Sequence, residues 1–213
     1  RYHRCQLMSE LSMTFKIRPA HASDTPLLYQ ICLTTGTKGQ DATPLMGDPY
    51  ILGHCYLGAY LALQPDCAFV LTDNGTPCGY IVGAPDTASF SDQVERRWLP
   101  GLREQYAKDE PHTARSDFEQ DLRRLIHARP LAPAVSQEYP AHLHINLLPV
   151  AQGAGGGRAL LQRLFAQLGA LEAPGIHLIQ SASNQAAFQF YLRVGFEEWS
   201  RDEGSITLVQ SLP

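Results

Sequence analysis

Residues 152–158 read QGAGGGR and run directly into ALLQRLFAQL. Glycine at this density is costly to order, because each one loses more backbone freedom on folding than any other residue. The loop is therefore either a closely packed turn or a place where the backbone comes against a ligand. The segment after it has apolar residues at 160, 161, 164, 165, 168 and 171, the spacing of an amphipathic helix. The first N–H groups of a helix lack intrahelical acceptors, and the macrodipole makes that end positive. A loop without side chains lets a phosphate reach those groups, so the stretch reads as a phosphate or pyrophosphate cradle. It lacks the G-K-[ST] ending of a Walker A loop. No early βαβ unit surrounds it as a dinucleotide loop would require.

A second constellation lies downstream. Asn184, Phe188 and Tyr191 are spaced i, i+4, i+7 and share one face of the last helix expected in the chain. Taken singly, Asn184 is an N-cap and Tyr191 a core aromatic. Upstream of the loop, AHLHINLLP (141–149) alternates as a strand. Leu143, Ile145 and Leu147 fall on one face and His142, His144, Asn146 and Leu148 on the other. Two histidines without a third ligand at motif spacing do not make a metal site, and none is expected.

These groups need elements to position them. FKIRPA (15–20) reads as a strand, followed by a helix with Ser23 or Asp24 as N-cap and Pro26 in its first turn. Residues 48–64 form a second, apolar helix, and Asn74-Gly75 turns a hairpin. Residues 86–140 hold two helical patterns and a Pro-punctuated loop, an insert between two strands of one sheet. Strand 141–149, the glycine loop and its helix, strand 175–181, a helix ending at Gly195 and two closing strands complete a mixed α/β or α+β domain. The 213 residues suit one core, expected over 14–213 after a leader at 1–13. RYHRCQLMSELSM has no apolar run of a signal peptide. A net charge of -4 argues against nucleic acid or an anionic membrane as partner. The five cysteines are scattered without a C-x-x-C pair, which points to a reducing cytoplasm.

The combined motifs resemble the GNAT (GCN5-related N-acetyltransferase) superfamily. QGAGGG fits its Q/R-x-x-G-x-G/A signature, SASNQAAFQFYLRVGFEEW its N-x-x-A-x-x-F-Y-x-x-x-G-F ending, and FKIRPAHASD its opening strand and helix. The run GDPYILGHCYLGAYLALQPDCAFVLTDNGTPCGYIVGAPDT, with the helix containing Trp98, is similar to the acetyltransferase-like C-terminal domain of O-GlcNAcases. A hydrolase barrel would need about 250 further residues, so glycosidase activity is not carried over.

The resemblance implies a mixed sheet with a splayed strand pair that holds the pantetheine arm of acetyl-CoA. It puts the acetyl carbonyl on the N–H of Leu148, with Leu147 and Val150 along the arm. Gln152 opens the loop, and the amides of Gly153, Ala154, Gly155, Gly156, Gly157 and Arg158 take the pyrophosphate. Asn184 holds a pantetheine amide, Phe188 packs on the arm, and Tyr191 donates a proton to the leaving sulfur. Asn146 occupies a position where related domains can carry a carboxylate. His144 shares its face and is a candidate base, with Glu138 and Asp117 as further candidates. Trp98, Tyr106 and Tyr139 are expected at the acceptor's entrance. The implied activity is acetyl transfer to a primary amine by a monomer or homodimer; the alternative is a silent pseudo-acetyltransferase that senses acetyl-CoA.

Overall fold

The computed structural model describes residues 15–108 and 114–212; the leader expected at 1–13 lies outside them. Among the described residues seven strands form one sheet in the order β1-β2-β3-β4-β5-β7-β6. They are β1 (Phe15–Pro19), β2 (Ala68–Asp73), β3 (Thr76–Ala84), β4 (Ala141–Leu147), β5 (Gly175–Ser181), β6 (Glu197–Arg201) and β7 (Ser205–Ser211). The β2–β3 hairpin turns on Asn74 and Gly75, both at positive φ (48° and 86°), as Asn-Gly should. All neighbours are antiparallel except β4 and β5.

Helices cover both faces. On one lie α1 (Thr25–Thr34), α2 (residues 51–63), α3 (residues 87–105) and α4 (Asp117–His127). On the other lie α5 (Gly156–Ala170) and α6 (Gln185–Arg193). The alternation of β3 serves both layers. Tyr80 and Val82 enter the core beneath α1–α4, and Ile81 enters the one under Leu160, Leu161 and Leu164 of α5. Among the described residues no helix is long and apolar enough to cross a membrane.

The insert shares its core with the sheet. Phe90, Leu99, Leu102, Tyr106, Leu122 and Ile126 all join the α1–α4 core. Its first helix begins at Thr87, earlier than the apolar pattern suggests, because Asp86 caps it by accepting from Ser89 N–H at 2.7 Å. Both α2 and α3 contain a π-helical stretch, His54–Gly58 and Val94–Trp98. The two meet: Trp98 Nε1 donates to the His54 carbonyl at 3.0 Å. A Cβ on Gly58 would lie 2.5 Å from Trp98 Cζ2, so only glycine admits the indole there.

Glu119 is the other fastener. It is fully buried, yet its carboxylate accepts from Gly47 N–H (2.7 Å), Asp48 N–H (3.3 Å), Arg115 N–H (2.9 Å) and the Arg123 guanidinium (3.3 Å). Burial alone would raise its pKa; the backbone donors and Arg123 together hold it below the ordinary value. The insert thereby pins the α1–α2 connection from more than seventy residues away. Removing a buried, bonded charge of this kind costs about 3–5 kcal/mol. Urea denaturation at pH 7 should show Glu119→Ala destabilised by about that amount and Glu119→Gln by less. Because the folded pKa is depressed, the Glu119 contribution is present above the ordinary carboxylate pKa and is lost as pH falls through the folded value. The Gln variant should therefore lose stability less steeply on acidification.

Candidate active site

The two parallel strands barely touch. β4 and β5 share only Ala141↔Ile176 and His142↔His177, while β4 runs on to Leu147 and β5 to Ser181. Beyond those pairs the sheet opens into a gap. β3 keeps β4 on its other side, in register from Ala84↔His142 to Gly79↔Leu147. The Leu148 N–H belongs to that ladder and donates to the Cys78 carbonyl at 2.9 Å. This corrects the expectation that Leu148 N–H faces an acyl group. Strand alternation turns the N–H groups of Leu147 and Ile145 to the gap instead.

The glycine loop continues from the end of β4. Gln152 does not reach outward; its Nε2 donates back to the Leu147 carbonyl at 2.9 Å. Gly153 and Gly155 have φ of 74° and 85°, and a Cβ on either would meet nothing within 4 Å. Gly156 and Gly157 act differently. They already belong to α5, which begins four residues before the first apolar residue of its pattern, Leu160. A Cβ on Gly156 would lie 2.6 Å from Leu71 Cδ2, and one on Gly157 would lie 3.1 Å from both Leu147 Cδ1 and Phe190 Cζ. Two glycines thus shape the loop and two seat the helix against the sheet. The first N–H of this segment to find a backbone acceptor is that of Ala159, which donates to Gly155 O at 3.0 Å. Among the described residues the N–H groups from Gly153 to Arg158 have no such acceptor. A row of free donors at a helix N-terminus, beside a face clear of Cβ atoms, fits a pyrophosphate. Arg158 is exposed and donates to the Arg193 carbonyl at 3.2 Å. Val150 is 58% exposed at the loop's base.

On α6, Asn184 is the N-cap, with Oδ1 accepting from Ala187 N–H at 3.1 Å. Its amide nitrogen is left over. Phe188 is half-buried beneath the Arg201 guanidinium, 5.1 Å from the ring centre. Tyr191 is buried against Phe190 and Phe196. Burial pushes its phenol well above the ordinary range, so it stays protonated at neutral pH. No described residue bonds its hydroxyl.

On the opposite face of β4 the polar residues divide. Asn146 is committed at both ends: Oδ1 accepts from Tyr80 O–H (3.0 Å), and Nδ2 donates to Thr35 Oγ1 (2.7 Å). It ties β4 to β3 and α1, and this corrects its candidacy as a catalytic group. His142 is also committed. Thr87 Oγ1 donates to Pro140 O and so must accept from His142 Nδ1–H; His142 Nε2 then accepts from Tyr60 O–H at 2.7 Å. Burial first, then His144 and His177, push its pKa well down. His144 packs edge-on to the rings of Tyr56 and Tyr60, with centroids 5.6 and 5.4 Å away, and neither of its nitrogens is bonded by a described residue. Burial lowers its pKa to about 4, so it is a neutral imidazole at pH 7 with a lone pair to offer.

Glu138 and Asp117 are exposed. Trp98 and Tyr106 are anchors: Trp98 bonds His54 O, and Tyr106 O–H donates to Asp48 Oδ2 at 2.8 Å. Tyr139 packs over Gly175, whose Cβ would lie 2.6 Å from the ring, and meets Trp199 edge-on. The α2 tyrosines that frame His144 and the Thr35 clamp escaped sequence reasoning, because nothing in helical periodicity says which strand a polar helix residue will meet.

No protein-family profile matches the chain. It is similar to the crystal structure of SsHAT, with 32% identity and a TM-score of 0.86 over 94% of this chain and 99% of that one. A GCN5-related N-acetyltransferase from Kribbella flavida shares the fold at 14% identity, with a TM-score of 0.55 over 93% of this chain and 98% of that one. The chain belongs to the GNAT superfamily. Another GNAT-fold neighbour is yncA from Salmonella typhimurium, solved with its cofactor acetyl-CoA (15% identity, TM-score 0.57, 94% and 95% covered). The protein O-GlcNAcase of Rattus norvegicus is 23% identical over 198 residues, 92% of this chain and 22% of that protein. This GNAT chain thus spans about a fifth of the length of the curated relatives it matches.

His142, His144 and His177, each held neutral by desolvation, should make this GNAT domain sensitive to acid. A histidine held neutral in the fold takes up its proton more readily when unfolded. Its contribution is therefore complete above the ordinary value of 6.5 and, for His144, is lost as pH falls through about 4. Urea midpoints should fall across that window, and His144→Gln should fall less steeply, with His142 and His177 still contributing.

Proposed function

We propose that this protein binds acetyl-CoA and transfers the acetyl group to a primary amine. The observation that carries the reading is the free N–H row of residues 153–158, set at the N-terminus of α5 beside a gap in the sheet. When bound, acetyl-CoA supplies an acyl group activated as a thioester. The chain's own residues divide the remaining work. The loop amides hold the pyrophosphate by charge-assisted hydrogen bonds. The N–H groups of Ile145 and Leu147 are the donors available to an acyl oxygen in the gap. Asn184 Nδ2 is free to donate to an amide carbonyl of the arm. Tyr191 holds a proton for a departing thiolate. His144 is the neutral imidazole available to take the proton that the amine nitrogen sheds as it attacks the thioester carbonyl.

A second reading is a domain that binds acetyl-CoA without transferring it. Two observations favour it: Asn146, on the strand face where a carboxylate would act, is bonded at both ends, and His144 is a weak base. The acceptor is a small amine, a lysine or an N-terminal amine in the first reading and is absent in the second.

Acetyl-CoA at 100 times its Kd should stabilise the protein by about 2.7 kcal/mol, read as a rise in Tm. Absence of any rise would sink both readings. Gly155→Val, with a β-branched side chain at φ 85°, should abolish the rise by distorting the cradle. Tyr191→Phe should keep the rise and, under the first reading, slow release of CoA thiol about tenfold or more across an amine panel. Binding without thiol release from any amine would select the second reading.

A further inference from the structure

Nearly all buried polar groups in folded proteins have a hydrogen-bond partner, so each exception calls for a cause. Among the described residues the exceptions are Thr37 Oγ1, Arg123 Nε, Gln210 Oε1 and both amide atoms of Gln180. Arg123 keeps its ion pair with Glu119. Gln180 is the one side chain with two orphaned atoms, a donor and an acceptor together.

Register gives its place. Ile176 and Leu178 of β5 point into the core beneath α5 and α6, and Gln180 continues that set. An apolar residue would complete the stripe, so the amide is the departure. On one side Gln180 pairs with Ile206 of β7. On the other, β4 has left the sheet three residues earlier, at His142↔His177. Immediately afterwards the chain turns into α6, with Asn184, Phe188 and Tyr191. The amide therefore stands at the wall of the strand gap, under the helix that carries the other candidate ligands.

A primary amide with both ends unpaired is complementary to another amide, giving one bond and taking one. The pantetheine arm is built around two amides. We propose that Gln180 reads the arm: its carboxamide hydrogen-bonds an amide of the pantetheine in the gap. This rests on the reading that the chain binds acetyl-CoA. Both carboxamide atoms are shielded from solvent and unpartnered in the free protein. The orphaned pair disfavours the free state and is relieved in the bound one.

Isothermal titration of the whole chain with coenzyme A and with adenosine 3′-phosphate 5′-diphosphate, which lacks the arm, tests this. Gln180→Met keeps the length and removes the amide. It should weaken coenzyme A about tenfold, leave the armless nucleotide unchanged, and raise the Tm of the free protein. A coenzyme A Kd within about twofold of wild type would overturn the role of Gln180 while leaving the acetyl-CoA reading intact. An equal loss for both ligands would overturn it as well, marking general damage. Failure of the wild-type chain to bind either ligand would overturn the acetyl-CoA reading and this inference with it.

Discussion

The parting of β4 from β5 is the constraint on which the rest of the structure depends. A strand inside a sheet normally spends its N–H and C=O groups on neighbours at both edges. Here β4 does so with β3 along its length but with β5 only at Ala141 and His142. Strands this close would zip together unless both were held. β4 is held from one face by Asn146, tied to Tyr80 and Thr35, and by His142, tied to Tyr60 and Thr87. From the other face α5 bears on its end, where Gly157 admits Leu147 and Phe190. β5 is held by β7 along all seven of its residues. The gap is therefore a product of stronger pairings elsewhere, and its backbone donors stay available.

The same logic extends to the insert, most of which acts on the surroundings of β4 from a distance. Glu119 accepts from backbone N–H groups of Gly47 and Asp48, and Tyr106 bonds the Asp48 carboxylate. Trp98 takes up a carbonyl in the π-helical stretch of α2. Each contact fixes α2 or the connection leading into it. That helix presents Tyr56 and Tyr60 to His144. The surroundings of His144 are thus set partly by residues that touch it nowhere and only hold α2 in place.

What the sequence made legible was whatever depends on local chemistry. The glycine loop before an amphipathic helix, the Asn-Gly hairpin and the Asn184–Phe188–Tyr191 face all need only short-range rules. What it hid depends on pairing across the chain. Alternation divides the N–H groups of β4 into two sets, but only the contact with Cys78 says which set contains Leu148. Asn146 looked available until Thr35, 111 residues away, was seen to occupy it. Glu119 reads as one more charge in a polar helix, since nothing near it in sequence announces Gly47. Gln180 reads as a polar residue near a strand end; its lack of partners exists only in three dimensions. The four central glycines look alike as letters, yet two serve φ and two serve packing.

The histidines show how far such pairing reaches into chemistry. Thr87 has one proton, and the Pro140 carbonyl takes it. Thr87 can then only accept from His142 Nδ1, which makes Nε2 the bare nitrogen of that ring. Tyr60, 2.7 Å from Nε2, must spend its own proton there. It is left presenting a ring to His144 and no donor. The unbonded imidazole of His144 thus follows from a backbone carbonyl three side chains away. Burial lowers its pKa to about 4, so it carries no charge at neutral pH. In the proposed reaction a neutral base avoids holding an unpaired cation in an apolar wall, and its weakness would oblige the proton to move on rather than remain.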